Sequence, residues 1–295
     1  MLARVVCSLT SDKKLDNSHS LKHTTAMHLN LEGKVVLVTG KKTPQEIRKN
    51  EASNQITSGG TKSIGKAIVQ SFLAEGATVH YCSRTQADLA TAHSSERAHG
   101  SVVDVSNPDQ VASWVQSSAA QSNGEVDVVV ANVSALVMGD DPADWHKAFG
   151  TDMMGTHSLV NAALPYLQKS KGNVITISSV SGRIIDFTAN PSPYGAMKAA
   201  LIHYTSQLAH KYAPDGVRAN TVSPGNIYVE DGVWGGIEKS MPEFFKKQMS
   251  ENPLGRMGKA EEVADMVVFL ASERAAFVTG SNVVVDGGLA QGIQF

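Results

Sequence analysis

Seven short apolar runs alternate with stretches of helical spacing, and this alternation constrains the chain more than any other feature. KVVLVTG (34–40), ATVHYCSR (77–84), GSVVDVS (100–106), VDVVVANVS (126–134), NVITISS (173–179), VRANTVSPG (217–225) and NVVVDGG (282–288) read as strands. Runs that are apolar at successive positions belong to strands covered on both faces. Between them, SIGKAIVQSFLAEG (63–76), about 144–167, about 193–212 and AEEVADMVVFLAS (260–272) carry helical spacing. Gly76 stands where the first of these helices should stop. The alternation predicts an α/β fold, a single doubly wound parallel sheet of the Rossmann type with helices on both faces. Ligands of such sheets sit outside the carboxyl ends of the strands.

The domain is expected to span 31–295, preceded by a disordered extension over 1–30. A polar, aromatic-rich segment at about 226–258 is expected to form a lid, in which Trp234, Phe244, Phe245 and Met249 would close over bound substrate. Asp186 and Phe187, in the loop before Tyr194, are further pocket candidates. A net charge of −2 gives no reason to expect a nucleic acid or an anionic membrane as partner. No apolar run reaches the roughly 18 residues of a membrane span. Two cysteines, Cys7 and Cys82, supply neither a disulfide framework nor a metal site, and suit a reducing compartment. A cytoplasmic location is therefore expected. Arg4, Lys13, Lys14 and Lys22 would suit a mitochondrial transit peptide, but Asp12 and Asp16 count against it, and translation from Met27 is the other alternative.

One segment breaks the pattern. KKTPQEIRKNEASNQITSG (41–59) is polar, lacks periodicity and separates a strand from its helix, where about 2–6 residues usually suffice. Without it the chain reads VLVTG-GTKSIGKAI. Gly40 and Gly60 would then let the backbone approach a diphosphate, whose charge suits the amides near Ser63 to Gly65. Codons permitted at Gly40-Lys41 and Ser58-Gly59 match intron ends, and 19 codons preserve the frame. The hypothesis is a translated intron, and finding codons 41–59 in every mature transcript would reject it. The rival is a genuine insertion that leaves the fold intact, since loop entropy grows only logarithmically, while weakening phosphate binding.

Tyr194 and Lys198 in YGAMK (194–198) share one helix face. A free phenol titrates near 10, and a neighbouring ammonium favours its anion. The pair therefore suits proton transfer at neutral pH.

The joined turn GTKSIG (Gly60, Thr61, Lys62, Ser63, Ile64, Gly65), with YGAMK and the segments below, resembles the short-chain dehydrogenases/reductases, in particular their 3-oxoacyl-ACP-reductase-like ketoreductases. The resemblance runs from Leu31 to Gly288 and excludes 41–59. It implies that Gly40 and the 60–65 turn, with Ser63 at the family's middle glycine, hold the cofactor diphosphate. It places adenine at Asp104-Val105, matches Asn132 in ANVS (131–134) to the family's Asn-Asn-Ala-Gly, and extends through Pro224-Gly225. It makes Ser179 the residue that holds the substrate oxygen, with Ser178 and Ser181 as alternatives. It makes Tyr194 the proton donor and has Lys198 bind the nicotinamide ribose. The family's fourth catalytic residue, an Asn, is matched by Asp152, a departure that leaves open a plain helix-surface acid. NAD-specific members carry an acidic residue after the second strand. Ser83 and Arg84 stand there instead, with Lys62 nearby, a set suited to a 2′-phosphate, so NADP(H) is favoured over NAD(H). The implied activity is NADPH-dependent reduction of a ketone or aldehyde, or its reverse. An NAD(P)-dependent alcohol or polyol dehydrogenase is one alternative, and a catalytically impaired nucleotide-binding scaffold another. No metal is implied. A homodimer or homotetramer is.

Overall fold

The computed structural model describes residues 29–40, 64–85, 89, 95–185, 191–230 and 232–291. The insertion 41–59, the turn residues Gly60, Thr61, Lys62 and Ser63, the loop residues Asp186 and Phe187, and the first 28 residues lie outside them.

The apolar runs are strands because each face of every central strand meets a hydrophobic layer. β1 (Val35–Thr39), β2 (Thr78–Ser83), β3 (Ala98–Val102), β4 (Val128–Ala131), β5 (Asn173–Ile177), β6 (Arg218–Pro224) and β7 (Asn282–Val285) form one parallel sheet in the order β3-β2-β1-β4-β5-β6-β7. Val36 and Val38 of β1 enter one core, with Ile68 and Phe72 of α1 (Ile64–Ala74) and Val263 and Val267 of a C-terminal helix, Ala260–Ala271. Leu37 enters the other core, with Val111 and Trp114 of α2 (Pro108–Gln121) and Leu159 and Ala163 of a later helix, Gly155–Ser170. The period of two thus splits consecutive valines and leucines between two buried layers. The order turns back between β1 and β4, which opens a crevice at their carboxyl ends.

Leu29 packs on the first core and Leu31 is fully buried. Helix α1 stops as expected: Gly76 takes φ +87°, a conformation that only glycine adopts freely.

Three elements depart from expectation. The third strand is Ala98–Val102, not 100–106. Val103 and Val105 are apolar because they are buried beneath α2, not because they extend the strand. Asp104 Oδ1 accepts hydrogen bonds from the Ser106 amide (3.0 Å) and hydroxyl (2.7 Å), which turns the chain toward Asn107, the N-cap of α2. The long helix expected over 144–167 is α3 (Pro142–Ala148), a π-helical turn at Phe149–Met154 and α4 (Gly155–Ser170). Finally, 226–258 folds into α6 (Val233–Ser240) and α7 (Pro242–Ser250), following α5 (Pro193–Tyr212) and β6 and preceding α8 (Ala260–Ala271). Trp234, Ile237, Phe245 and Met257 form a small core of their own there.

Cys82 is buried, and burial pushes its thiol up to about 12 against the opposing hydrogen bond with the Gly40 backbone. It is therefore an inert core group. Among the described residues no helix is long and apolar enough to cross a membrane.

Candidate active site

The crevice is built where β5 ends and α5 begins. Ser178 and Ser179 follow the last residue of β5, and a short 3-10 turn at Val180–Gly182 leads away. The Ser178 hydroxyl donates to the Lys198 carbonyl (2.7 Å), so it is committed to fastening α5 to the sheet. The Ser179 hydroxyl accepts from the Ser181 amide (3.2 Å) and donates to the Ser181 hydroxyl (3.3 Å). Of the three serines considered from sequence, Ser178 is thus a structural tie, while Ser179 and Ser181 share a bond at the cavity wall.

Two glycines set how closely this turn and α5 approach. A Cβ at Gly182 would lie 2.8 Å from the Ala199 nitrogen and from the Lys198 carbonyl carbon. A Cβ at Gly195 would lie 2.7 Å from the Ser181 carbonyl oxygen. Both obstacles are backbone and cannot swing aside. Gly182→Ala is therefore expected to cost about 1–3 kcal/mol of stability as an overpacked contact. It should also lower turnover by on the order of tenfold or more, because it pushes α5 away from Ser179. Thermal melting and steady-state kinetics check this against Gly236→Ala, whose Cβ would meet nothing within 4 Å.

On α5, Tyr194 is half-buried and Lys198 is buried one turn later. Lys198 Nζ donates to the Ile177 carbonyl (3.2 Å), lies 5.8 Å from the Tyr194 ring centre and 3.3 Å from Asp152 Oδ1. Asp152 sits in the π-helical turn and is only 1% exposed, which rules out the helix-surface reading of this residue. Its other oxygen accepts the Ala135 amide at 2.6 Å. The π turn is the local departure that aims this carboxylate inward, a common use of such turns at functional sites. Ion pairs this deeply buried are costly to leave half-made, so Asp152 and Lys198 hold each other in place.

Ser179, Tyr194 and Lys198 all border one cavity of about 930 Å³, which also reaches Ile64 and Gly65 at the start of α1, Asn132 after β4, and Pro224-Gly225 at the end of β6. Its size is that of a cofactor-and-substrate cleft. Asn132 is fixed by its amide, which donates to Thr39 Oγ1 (3.1 Å). Gly225 is needed because a Cβ would lie 2.6 Å from Asp286 Cβ. Gly40 is buried at the end of β1. Asp104, Val105, Ser83 and Arg84 are not on the cavity wall. Ser83 is fully buried, so of that pair only Arg84 is exposed. Asp104 is exposed and bonded to Ser106, while Val105 is buried in the core.

Of the four lid residues anticipated, Trp234 and Phe244 line the cavity, stacked at 6.4 Å with an interplanar angle of 14°. Phe245 and Met249 instead belong to the small core behind them. Sequence reasoning missed Gly182, Gly195 and Asn226. For the glycines and Asn226 the only signal was nearness to the SSVSG, YGAMK and Pro-Gly segments.

The groups at hand, a backbone helix start, Asn132, an exposed arginine and a lysine beside a phenol, fit a nicotinamide dinucleotide and a carbonyl or alcohol. Comparison with known proteins agrees. The family described as Enoyl-(Acyl carrier protein) reductase matches residues 59–290, starting at the end of the inserted segment. The chain is 38% identical over 271 residues to isoepoxydon dehydrogenase patN of Penicillium expansum, covering 88% of this chain and all of that one. It is 36% identical over 249 residues to L-fucose dehydrogenase of Bos taurus, covering 80% and 89%. Among solved structures, a short-chain type dehydrogenase/reductase from Mycobacterium marinum superposes with a TM-score of 0.72 at 26% identity, covering 89% of this chain and 97% of that one.

Proposed function

The chain belongs to the short-chain dehydrogenase/reductase family, and from this we propose that it is an NADP(H)-dependent oxidoreductase that reduces a ketone or aldehyde to an alcohol. One observation carries the reading: Ser179, Tyr194 and Lys198 border a single cavity that runs to the first turn of α1. NADPH, when bound, supplies the hydride. Ser179 Oγ holds the substrate oxygen by hydrogen bonding, and Tyr194 Oη gives that oxygen its proton. In the reverse direction Tyr194 Oη takes the proton back. Lys198 Nζ binds the ribose hydroxyls and places positive charge beside the phenol ring. Asp152 acts on the chemistry through Lys198, holding Nζ in place, and fixes the loop after β4 through the Ala135 amide. Ile64, Gly65, Asn132, Pro224 and Gly225 line the cavity and would hold the cofactor; the resemblance would add Gly40 and residues 60–65 at its diphosphate and Asp104 at its adenine, where Val105, whose side chain is buried in the core, could offer only its backbone.

The preference for NADP(H) rests on Arg84, which is exposed and has no carboxylate partner among the described residues. A guanidinium fork suits the 2′-phosphate, and Ser83 keeps an acidic residue out of that position. Wild-type protein is expected to bind NADPH at least about tenfold more tightly than NADH, a difference of about 1.4 kcal/mol. Arg84→Asp should reverse the order. Fluorescence titration of both nucleotides checks this, and equal affinities in the wild type would remove the assignment.

Two relatives named as dehydrogenases favour, as a second reading, physiological oxidation of an alcohol or polyol at the same site. The segment 41–59 favours a third, a nucleotide-binding protein of impaired activity. NADPH binding by the full chain and by a version lacking 41–59 separates these readings: binding by the shortened form alone supports impairment. We further propose a cytoplasmic protein that acts as a homodimer or homotetramer.

A further inference from the structure

The polar side chains buried along the cavity are committed to protein partners, with one exception. Ser178 bonds the Lys198 carbonyl, Ser179 bonds Ser181, Lys198 pairs with Asp152, and Gln248 Nε2 donates to Glu251 (2.8 Å). Asn226 borders the same cavity, is 7% exposed, and its side chain makes no hydrogen bond among the described residues. Its Nδ2 is fully buried without a partner.

The backbone leaves this side chain little freedom to find one elsewhere. Asn226 follows Pro224-Gly225 directly, its carbonyl accepts the Gly258 amide (2.9 Å), and Ile227 bridges to Gly258. What stays soft is the terminal amide torsion, whose two ends interchange readily. Leaving a buried amide unpaired is costly, because its lost hydration is not repaid. Such groups are uncommon in folded proteins, and one beside a binding cavity points to a ligand that completes it.

Resting on the oxidoreductase reading above, we propose that Asn226 is a specificity residue whose carboxamide hydrogen-bonds a second oxygen on the substrate. The substrate class is then a ketone bearing a further hydroxyl or carbonyl group. The reacting carbonyl lies at Ser179 and Tyr194, and the second oxygen meets Asn226. The hydrocarbon frame between them faces the apolar wall of Leu136, Met138, Ile184, Trp234, Ile237 and Phe244.

The test uses the full chain, cyclohexanone, and 2-, 3- and 4-hydroxycyclohexanone. Binding to the NADP⁺-loaded protein is followed by tryptophan fluorescence, and turnover by NADPH consumption. In the wild type at least one hydroxyketone should bind about tenfold better than cyclohexanone, about 1.4 kcal/mol. Asn226→Leu should lower that hydroxyketone to the level of cyclohexanone, leaving cyclohexanone and NADPH affinities unchanged. It should also raise the melting temperature of the ligand-free protein, because an unpaired amide has been replaced by an apolar group of similar size. Asn226→Ala repeats the affinity measurement should leucine disturb the fold.

Three results would overturn the proposal. One is a hydroxyketone advantage that survives both substitutions. Another is a wild type that shows no preference, binding of none of the four included. The last is a loss of NADPH affinity in Asn226→Leu, which would assign the amide to the cofactor instead. A wild type that fails to bind NADPH removes the underlying reading, and the proposal with it.

Discussion

Tyr194→Phe is expected to lower turnover by about 10²–10⁴-fold, the usual contribution of a positioned proton donor, while NADPH affinity and folding stay near the wild type. The structural side of this expectation follows from what the hydroxyl does in the resting protein. Among the described residues it takes part in no hydrogen bond, and the ring is only half-buried. Its removal should therefore change stability by no more than about 0.5 kcal/mol, or about 1–2 °C in melting temperature for a chain of this size. The ring itself remains, so the contact with Lys198 Nζ at 5.8 Å is kept. Single-turnover kinetics with preloaded NADPH, beside a melting curve, separate chemistry from folding. Turnover within a few-fold of the wild type would remove Tyr194 from the mechanism.

Lys198→Met should do more damage, in two distinct ways. The charge is lost from the site, abolishing turnover, and Asp152 is left as an uncompensated buried carboxylate. Breaking a buried pair in this way costs about 3–5 kcal/mol, a fall in melting temperature on the order of 10 °C. The double substitution Lys198→Met with Asp152→Asn should regain most of that stability, since an amide oxygen can still accept the Ala135 hydrogen bond at 2.6 Å. It should regain none of the activity. The double-mutant cycle therefore separates the role of the pair in holding the fold from the role of the lysine in the reaction. Additive stability changes would show that the 3.3 Å contact carries no coupling.

The sheet was legible in the sequence because burial on both faces writes itself as consecutive apolar residues, as in VVLVT of β1 and NVITI of β5. The edge was less so. Val103 and Val105 look like strand residues, yet they are apolar for the sake of α2, and the Asp104 turn that ends the strand is a side-chain bond rather than a pattern. Helices α6 and α7 were hidden for another reason: they span eight and nine residues, too short for helical periodicity to declare itself. In the site, the Tyr194–Lys198 spacing was legible because both lie on one helix. The roles of Gly182 and Gly195 were not, since each depends on a close approach of backbone from another segment. The burial of Asp152 was equally invisible, because it depends on the π turn and on an amide that arrives from beyond β4.

The small core of Trp234, Ile237, Phe245 and Met257 stands apart from the two layers that sandwich the sheet. Opening it need not disturb either of them, so α6 and α7 can fray as a local unit at a free energy below that of global unfolding. Substitutions in this wall would then be felt first as changed ligand residence time and only later as lost fold. A lineage can redraw the wall while Ser179, Tyr194 and Lys198, hung from β5 and α5, stay where they are. Related chains can thus share one chemical engine and differ in what they feed it.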